Sequence, residues 1–134
     1  MTKEFPRRND RVPMDTPVTY ARLPESFVPT EECLEALNTQ GVDYQISKLR
    51  NISEGGLMIS TTSYIEPGSH ILMRFTLPNG KDRNEVVAIG EIKHLNLPDR
   101  PDIDTTIGMG IQFRHLSTRG TQAIHELVSR HVNN

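Results

Sequence analysis

What this chain lacks narrows its class before any motif is considered. Its 134 residues include a single cysteine, no tryptophan, and no apolar run near the roughly 18 residues of a membrane-spanning helix. One cysteine, Cys33, excludes a disulfide within the chain and fits a reducing compartment. The opening MTKEFPRRND shows no apolar stretch of the kind found in a secretory signal. We therefore expect a cytoplasmic protein with no membrane insertion.

The chain is also poor in aromatic residues and in net charge. Aromatic side chains make up 5% of it, and the formal net charge is −2 at pH 7. Proteins that bind DNA or RNA usually present a broad basic surface, and binders of single strands add aromatic stacking platforms. We therefore expect no DNA or RNA partner. The cations Lys3, Arg7, Arg8 and Arg11 fall within the first eleven residues, which favours a small phosphorylated ligand bound locally.

Residue types that carry catalysis are present but are not arranged for it. The histidines, at positions 70, 94, 115, 125 and 131, show no metal-ligand spacing with Cys33 or with one another. No nucleophile–base pair can be assembled from the sequence either. We therefore expect no enzyme, no catalytic residue, no metal and no cofactor. The histidines are interpreted as surface or strand-end residues.

Most of the chain shows the period of two that is typical of β-strands. The clearest alternation places Ile71, Met73, Phe75 and Leu77 on one face, with His70, Leu72, Arg74 and Thr76 on the other. Further strands are predicted within 12–23, 44–49, 57–60, 85–95 and 107–113. Pro13 and Pro17 restrict the first of these to a sheet edge or a late start, and a phase slip before Leu49 indicates a bulge. About six short strands argue for a closed barrel or a sandwich.

Two segments are predicted to be helical. Ile124, Leu127 and Val128, extended by His131, form the stripe of an amphipathic C-terminal helix. A short helix is predicted from Thr30, which would be its N-cap, to about Gly41. It lies in residues 22–43, which we interpret as an insertion after the first strand. The length fits one domain over 12–134, preceded by a flexible arm over 1–11.

Two polar clusters are candidates for a binding site. In Arg7-Arg8-Asn9-Asp10-Arg11, guanidinium groups spaced by four residues could grip a phosphate or pair with a guanine edge. In Asn51-x-Ser53-x-x-Gly56, an amide, a hydroxyl and a glycine fall in one turn between strands. Each cluster alone has a plainer interpretation, because charged termini are often only solvated and these are the commonest turn residues.

Taken together, the two clusters resemble the PilZ domain family. Its signature motifs, RxxxR followed by (D/N)xSxxG, are matched by Arg7 and Arg11 and by Asn51, Ser53 and Gly56. The segment from Gly110 to Phe113 looks like the last barrel strand of the family, followed by its C-terminal helix. The resemblance implies a mainly β fold, a six-stranded antiparallel β-barrel that binds cyclic di-GMP on its outer surface.

The resemblance also implies a role for each matched residue. Arg7 and Arg11 would contact phosphates and guanine edges, with Arg8 as an auxiliary. Asn51 would hydrogen-bond a guanine, Ser53 would meet a phosphate or the turn backbone, and Gly56 would keep room for the ligand. Binding would order the arm and signal to a downstream effector protein, in the control of motility, exopolysaccharide production or virulence. Pro6 precedes the arginine motif, and one ligand or an intercalated pair both remain open.

Two other classes of protein compete with this interpretation. A PilZ-like scaffold would act through protein contacts without binding a nucleotide, and the intact motifs argue against it. An oligonucleotide-binding barrel would need the aromatic platforms and basic face that the composition lacks. The downstream partner, the ligand affinity and the oligomeric state are left open by the sequence.

Overall fold

The alternating segments of the sequence form six strands that close into an antiparallel barrel. The computed structural model describes residues 11–24, 45–79, 82–97 and 107–133. The elements are β1 (Val12–Arg22), β2 (Gln45–Ile52), β3 (Gly56–Thr61), β4 (His70–Asn79), β5 (Asp82–Asn96), β6 (Ile107–Leu116) and the helix α1 (Thr118–Asn133). The order around the barrel is β1-β2-β3-β6-β5-β4. The mainly β, six-stranded barrel with a C-terminal helix is thus confirmed, whereas the short helix from Thr30 lies outside the described residues.

The two prolines of β1 lie where that strand has a single partner. β1 pairs with β2 from Val12 onward, but its described pairing with β4 begins only at Val18. Pro13 and Pro17 therefore occupy the half of β1 that pairs on one side, where a missing N–H donor is tolerated. The predicted edge is real in this half of the strand, although the second half is paired on both sides.

The inward face of β4 fills the barrel as its alternation predicted. Ile71, Met73, Phe75 and Leu77 are all buried in the core. Leu72 points to the other face and is nevertheless 0% exposed. It pairs with Ala21 of β1 and Ile89 of β5, which are also buried. The alternation identifies which way each side chain points, but it does not report that part of the outer face is covered.

In β2, the inward and outward positions differ from those expected. Ile46, which the sequence placed among the residues that mark the strand, is 78% exposed, while Leu49 is buried. The register of β2 against β3 shifts between Leu49 and Asn51, so the strand has a bulge after Leu49, whereas the phase slip predicted one before it.

The helix α1 packs against β5, β4 and β1. Ser117 caps it, since the Ser117 hydroxyl accepts a hydrogen bond from the Gly120 N–H at 3.0 Å. Ile124 and Val128 are buried in the barrel core and Leu127 is partly buried against it, as their spacing predicted. His131, which would have extended the stripe, is exposed.

Tyr20 provides a test of how polar groups stabilise the core. Its buried hydroxyl shares a 2.6 Å hydrogen bond with the Thr61 hydroxyl and donates to Gln45 Oε1 at 3.1 Å. Tyr20→Phe removes one partner of a buried pair, so we expect the free energy of unfolding in urea to fall by about 1–2 kcal/mol. The control is Tyr64→Phe, because Tyr64 is 60% exposed and should show no change. Equal stabilities of the two variants would contradict this account.

Candidate binding groove

The β2–β3 turn is closed by Ser53. Its backbone N–H donates to the Gly56 carbonyl at 2.8 Å, and its hydroxyl lies 3.2 Å from that carbonyl and 3.3 Å from the Gly56 nitrogen. The Phe113 N–H donates to the Gly55 carbonyl at 2.9 Å, which joins the turn to β6. Of the two contacts expected for Ser53, the one with the turn backbone is present. Its contact with a phosphate stays a prediction.

Gly56 is required by the pairing of β3 with β6. It lies opposite Gln112, and a Cβ atom at this position would overlap the carbonyl oxygen of Ile111. The resemblance to the PilZ family implies that this glycine keeps room for a ligand. In the structure, the space that a side chain would take is filled by the backbone of β6, so the close approach of two strands already demands glycine here.

The ends of the two sequence motifs meet beside this turn. Arg11 precedes β1, Asn51 lies near the end of β2, and Arg11 Nη1 donates to Asn51 Oδ1 at 2.6 Å. The register explains the contact, because Pro13 of β1 pairs with Asn51. The side chains are 40 positions apart in sequence and are brought together only by β1–β2 pairing. Arg7 and Arg8 lie outside the described residues.

A shallow groove of about 200 Å³ runs along the outer surface from this contact. It is lined by Arg11, Ser53, Gly55, Gly56, Lys93, His94, Gly110, Ile111 and Gln112. Three of the predicted site residues, Arg11, Ser53 and Gly56, therefore share one surface with residues of β5 and β6. Sequence reasoning missed the latter group, of which Lys93, His94 and Gln112 carry polar side chains.

His94 faces the groove because the register of β5 shifts. Ile92 pairs with Ile111, but His94 pairs with Gly110, so Lys93 is an extra residue on β5. The His94 ring lies against Gly110, where any Cβ atom would overlap it. An exposed ring at a groove wall can stack on a planar base. The histidine was expected on the surface, which is correct, but the sequence did not show that it borders a groove.

Glu91 forms ion pairs with two basic residues next to the groove. Arg114 donates to Glu91 Oε1 from Nε at 2.9 Å and also from Nη2, and Lys93 Nζ lies 3.4 Å from Glu91 Oε2. The hydrogen bond from Arg114 holds the pKa of this carboxyl below its usual value, against an opposing effect of desolvation. Glu91 is thus ionised and neutralised by its neighbours at neutral pH.

The groove suits a ligand that carries phosphate and a planar ring. It offers an arginine, a lysine, a histidine ring and the backbone of a closed turn, and it is open to solvent. Within the four described segments, no three His, Cys, Asp or Glu side chains come together as a metal site would require. No helix in those segments has the length and apolarity to cross a membrane.

The fold is a closed six-stranded barrel with a C-terminal helix, and the groove on its outer surface is lined by an arginine, a lysine and a histidine. The family model of the PilZ domain matches residues 5–130. The chain therefore belongs to the PilZ domain family.

Comparison with solved structures agrees on the fold. The structure of the Bacillus subtilis inhibitor of motility (MotI/DgrA) is similar to this chain with a TM-score of 0.69 at 15% sequence identity, over 98% of this chain and 54% of that one. This chain thus spans about half the length of that protein, and at this identity the likeness concerns the fold alone. No curated protein matches the sequence.

Gly56 yields a prediction about stability. In Gly56→Ala the new methyl group meets a backbone carbonyl, which cannot move without disturbing β3–β6 pairing, so we expect a loss of about 1–3 kcal/mol in the free energy of unfolding. The matched control is Gly108→Ala on β6, where a Cβ would meet only the side chains of Asn96 and Met58 at 3.3 Å. Urea denaturation of both variants measures the difference. A Gly56→Ala protein as stable as Gly108→Ala would refute the steric account.

Glu91 yields a prediction about pH. Because its pKa is lowered in the folded chain, its ion pairs stabilise the fold above the ordinary value of 4.5, and this stability is lost as pH falls through the folded-state pKa. Glu91→Gln should therefore be less stable than the unaltered chain at pH 7, and the difference should shrink below pH 4.5. Urea denaturation at pH 7 and at a pH below 4.5 measures this difference in stability, and Glu85→Gln on the same strand is the control. A difference that stays constant with pH would contradict the ion-pair explanation.

Proposed function

We propose that this chain is a receptor for cyclic di-GMP, which binds in the groove beside the β2–β3 turn. The observation that carries the proposal is the 2.6 Å hydrogen bond between Arg11 and Asn51. It joins the end of the RxxxR motif to the beginning of the NxSxxG motif at one surface. Membership of the PilZ family supports cyclic di-GMP as the ligand.

The residues of the two motifs have complementary tasks in this proposal. Arg7 and Arg11, with Arg8 as an auxiliary, bind phosphates and guanine edges, since a guanidinium group matches both. Asn51 hydrogen-bonds a guanine and at the same time holds Arg11 at the groove. Ser53 and Gly56 act through the backbone, because they keep the turn and the floor of the groove in place. Preformed polar groups of this kind reduce the entropy that binding must overcome.

The proposed output is a change in the N-terminal arm. The arm (1–11) closes over the ligand where it joins the barrel domain (12–134). The rearranged surface then binds an effector protein. The chain acts in the cytoplasm as a binding protein and catalyses no reaction. The similar Bacillus subtilis protein is described as an inhibitor of motility, which makes motility one process that such an effector could serve.

Calorimetric titration with cyclic di-GMP tests the proposal. We expect saturable binding to the unaltered chain, none of GTP, and a loss of roughly tenfold or more in affinity in Arg11→Ala, because a charge-assisted contact disappears. Arg7→Ala should behave likewise. The control is Arg50→Ala, since Arg50 is an exposed arginine that lies 3.8 Å from the carboxylate of Asp15 and does not line the groove.

The outcomes separate the two classes of protein. Loss of binding in Arg11→Ala with retention in Arg50→Ala establishes the groove as the site. If the unaltered chain gives no heat and no shift in melting temperature, the receptor proposal is refuted, and a scaffold that contacts proteins alone takes its place.

A further inference from the structure

Lys93 projects from β5 because a bulge places it there. Two residues of β5, Lys93 and His94, are accommodated against a single step of β6, from Ile111 to Gly110. Bulges of this kind redirect a side chain and are common next to binding sites. Lys93 lines the groove together with Arg11 and Ser53. Since β3 and β6 lie between β5 and the β1–β2 pair in the barrel, Lys93 and Arg11 stand on opposite sides of the groove.

The contact of Lys93 with Glu91 is weaker than that of Arg114 with Glu91. Its Nζ lies 3.4 Å from Glu91 Oε2, which is longer than the roughly 2.7–2.9 Å of a strong charge-assisted hydrogen bond. Arg114, by contrast, donates to Glu91 from two nitrogens. The Lys93 side chain is 46% exposed, whereas that of Glu91 is 17% exposed. Glu91 therefore keeps a full partner when Lys93 leaves it.

We propose that Lys93 is a phosphate-binding residue of the groove, which exchanges Glu91 for a phosphodiester of the bound cyclic dinucleotide. This inference rests on the proposed function and adds a residue that neither sequence motif contains. Arg114 remains on Glu91 during the exchange, so no carboxylate is left unpaired. In the unliganded chain, Glu91 competes with the ligand for the ammonium group of Lys93. The ammonium group of Lys93 is a compact charge and lacks the planar set of donors of a guanidinium group. Lys93 therefore binds phosphate, whereas Arg11 binds both phosphate and base.

Titration of Lys93 variants with cyclic di-GMP tests the direct contact. We expect Lys93→Met to bind about five- to tenfold more weakly than the unaltered chain and with a smaller dependence on salt, because one exposed charge contact is lost. Lys93→Arg should restore most of the affinity. The control is Lys48→Met, since Lys48 is also exposed and paired, with Asp15 at 3.2 Å, but does not line the groove.

Glu91 provides a test with the opposite sign. Glu91→Gln frees the ammonium group, so we expect affinity to rise two- to threefold, and most of this gain should disappear in the Lys93→Met background. If Glu91 only stabilised the fold, Glu91→Gln would lower the affinity for cyclic di-GMP both in the presence of Lys93 and in the Lys93→Met background. All titrations are made below the melting transition of each variant.

The outcomes distinguish this inference from the proposed function. If the unaltered chain binds cyclic di-GMP and Lys93→Met binds as tightly as Lys48→Met, the role of Lys93 is refuted and the receptor proposal stands. A loss of affinity in Glu91→Gln would also overturn the exchange. If the unaltered chain binds no cyclic di-GMP, both proposals fail together.

Discussion

The pairing of β1 with both β2 and β4 is the constraint on which the rest of the structure depends. Val18 of β1 lies opposite Ser47 on one side and Phe75 on the other, and this double pairing joins the two ends of the sheet into a barrel. Closure removes the open edges that a six-stranded sheet would otherwise expose. The pairing of β1 with β2 also fixes the residue just before β1, so that Arg11 reaches Asn51 across 40 positions of sequence. One side of the groove is thus a consequence of β1–β2 pairing.

Register shifts distribute charge around this barrel. β2 shifts against β3 at Arg50, β5 shifts against β6 at Lys93, and β6 shifts against β5 at Arg114. An extra residue at a bulge leaves the ladder and turns towards solvent, where a cation is well solvated. Each of these cations has a carboxylate within 4.0 Å: Asp15 for Arg50, and Glu91 for the other two. The register shifts that let the sheet curve therefore also determine where these three basic side chains lie on the barrel surface.

The sequence predicted what depends on periodicity and missed what depends on register. The strands, the terminal helix and the inward face of β4 follow from local patterns. Of the motif residues, Arg11, Ser53 and Gly56 line one groove, and Asn51 contacts Arg11 beside it. Lys93 and His94 were missed because their positions depend on a one-residue slip between β5 and β6, of which the three-residue spacing from Ile92 to Leu95 is the trace in the sequence. The covering of Leu72 was missed for a related reason, since a period of two does not report what packs on the outer face.

The β2–β3 turn differs from the cations around it in how firmly it is held. Ser53 closes it, Gly55 accepts a hydrogen bond from β6, and Glu54 Oε1 lies 2.7 Å from His125 Nδ1 on the helix α1. Three consecutive residues are thus tied to three different parts of the molecule. The exposed side chain of Lys93, by contrast, makes one long contact, with Glu91. A site with a rigid polar frame and movable charges can accept a doubly charged ligand without rebuilding its backbone, because only side chains exchange partners. The helix α1 contacts the same turn through His125, so any displacement of the turn by a ligand changes the Glu54–His125 contact directly.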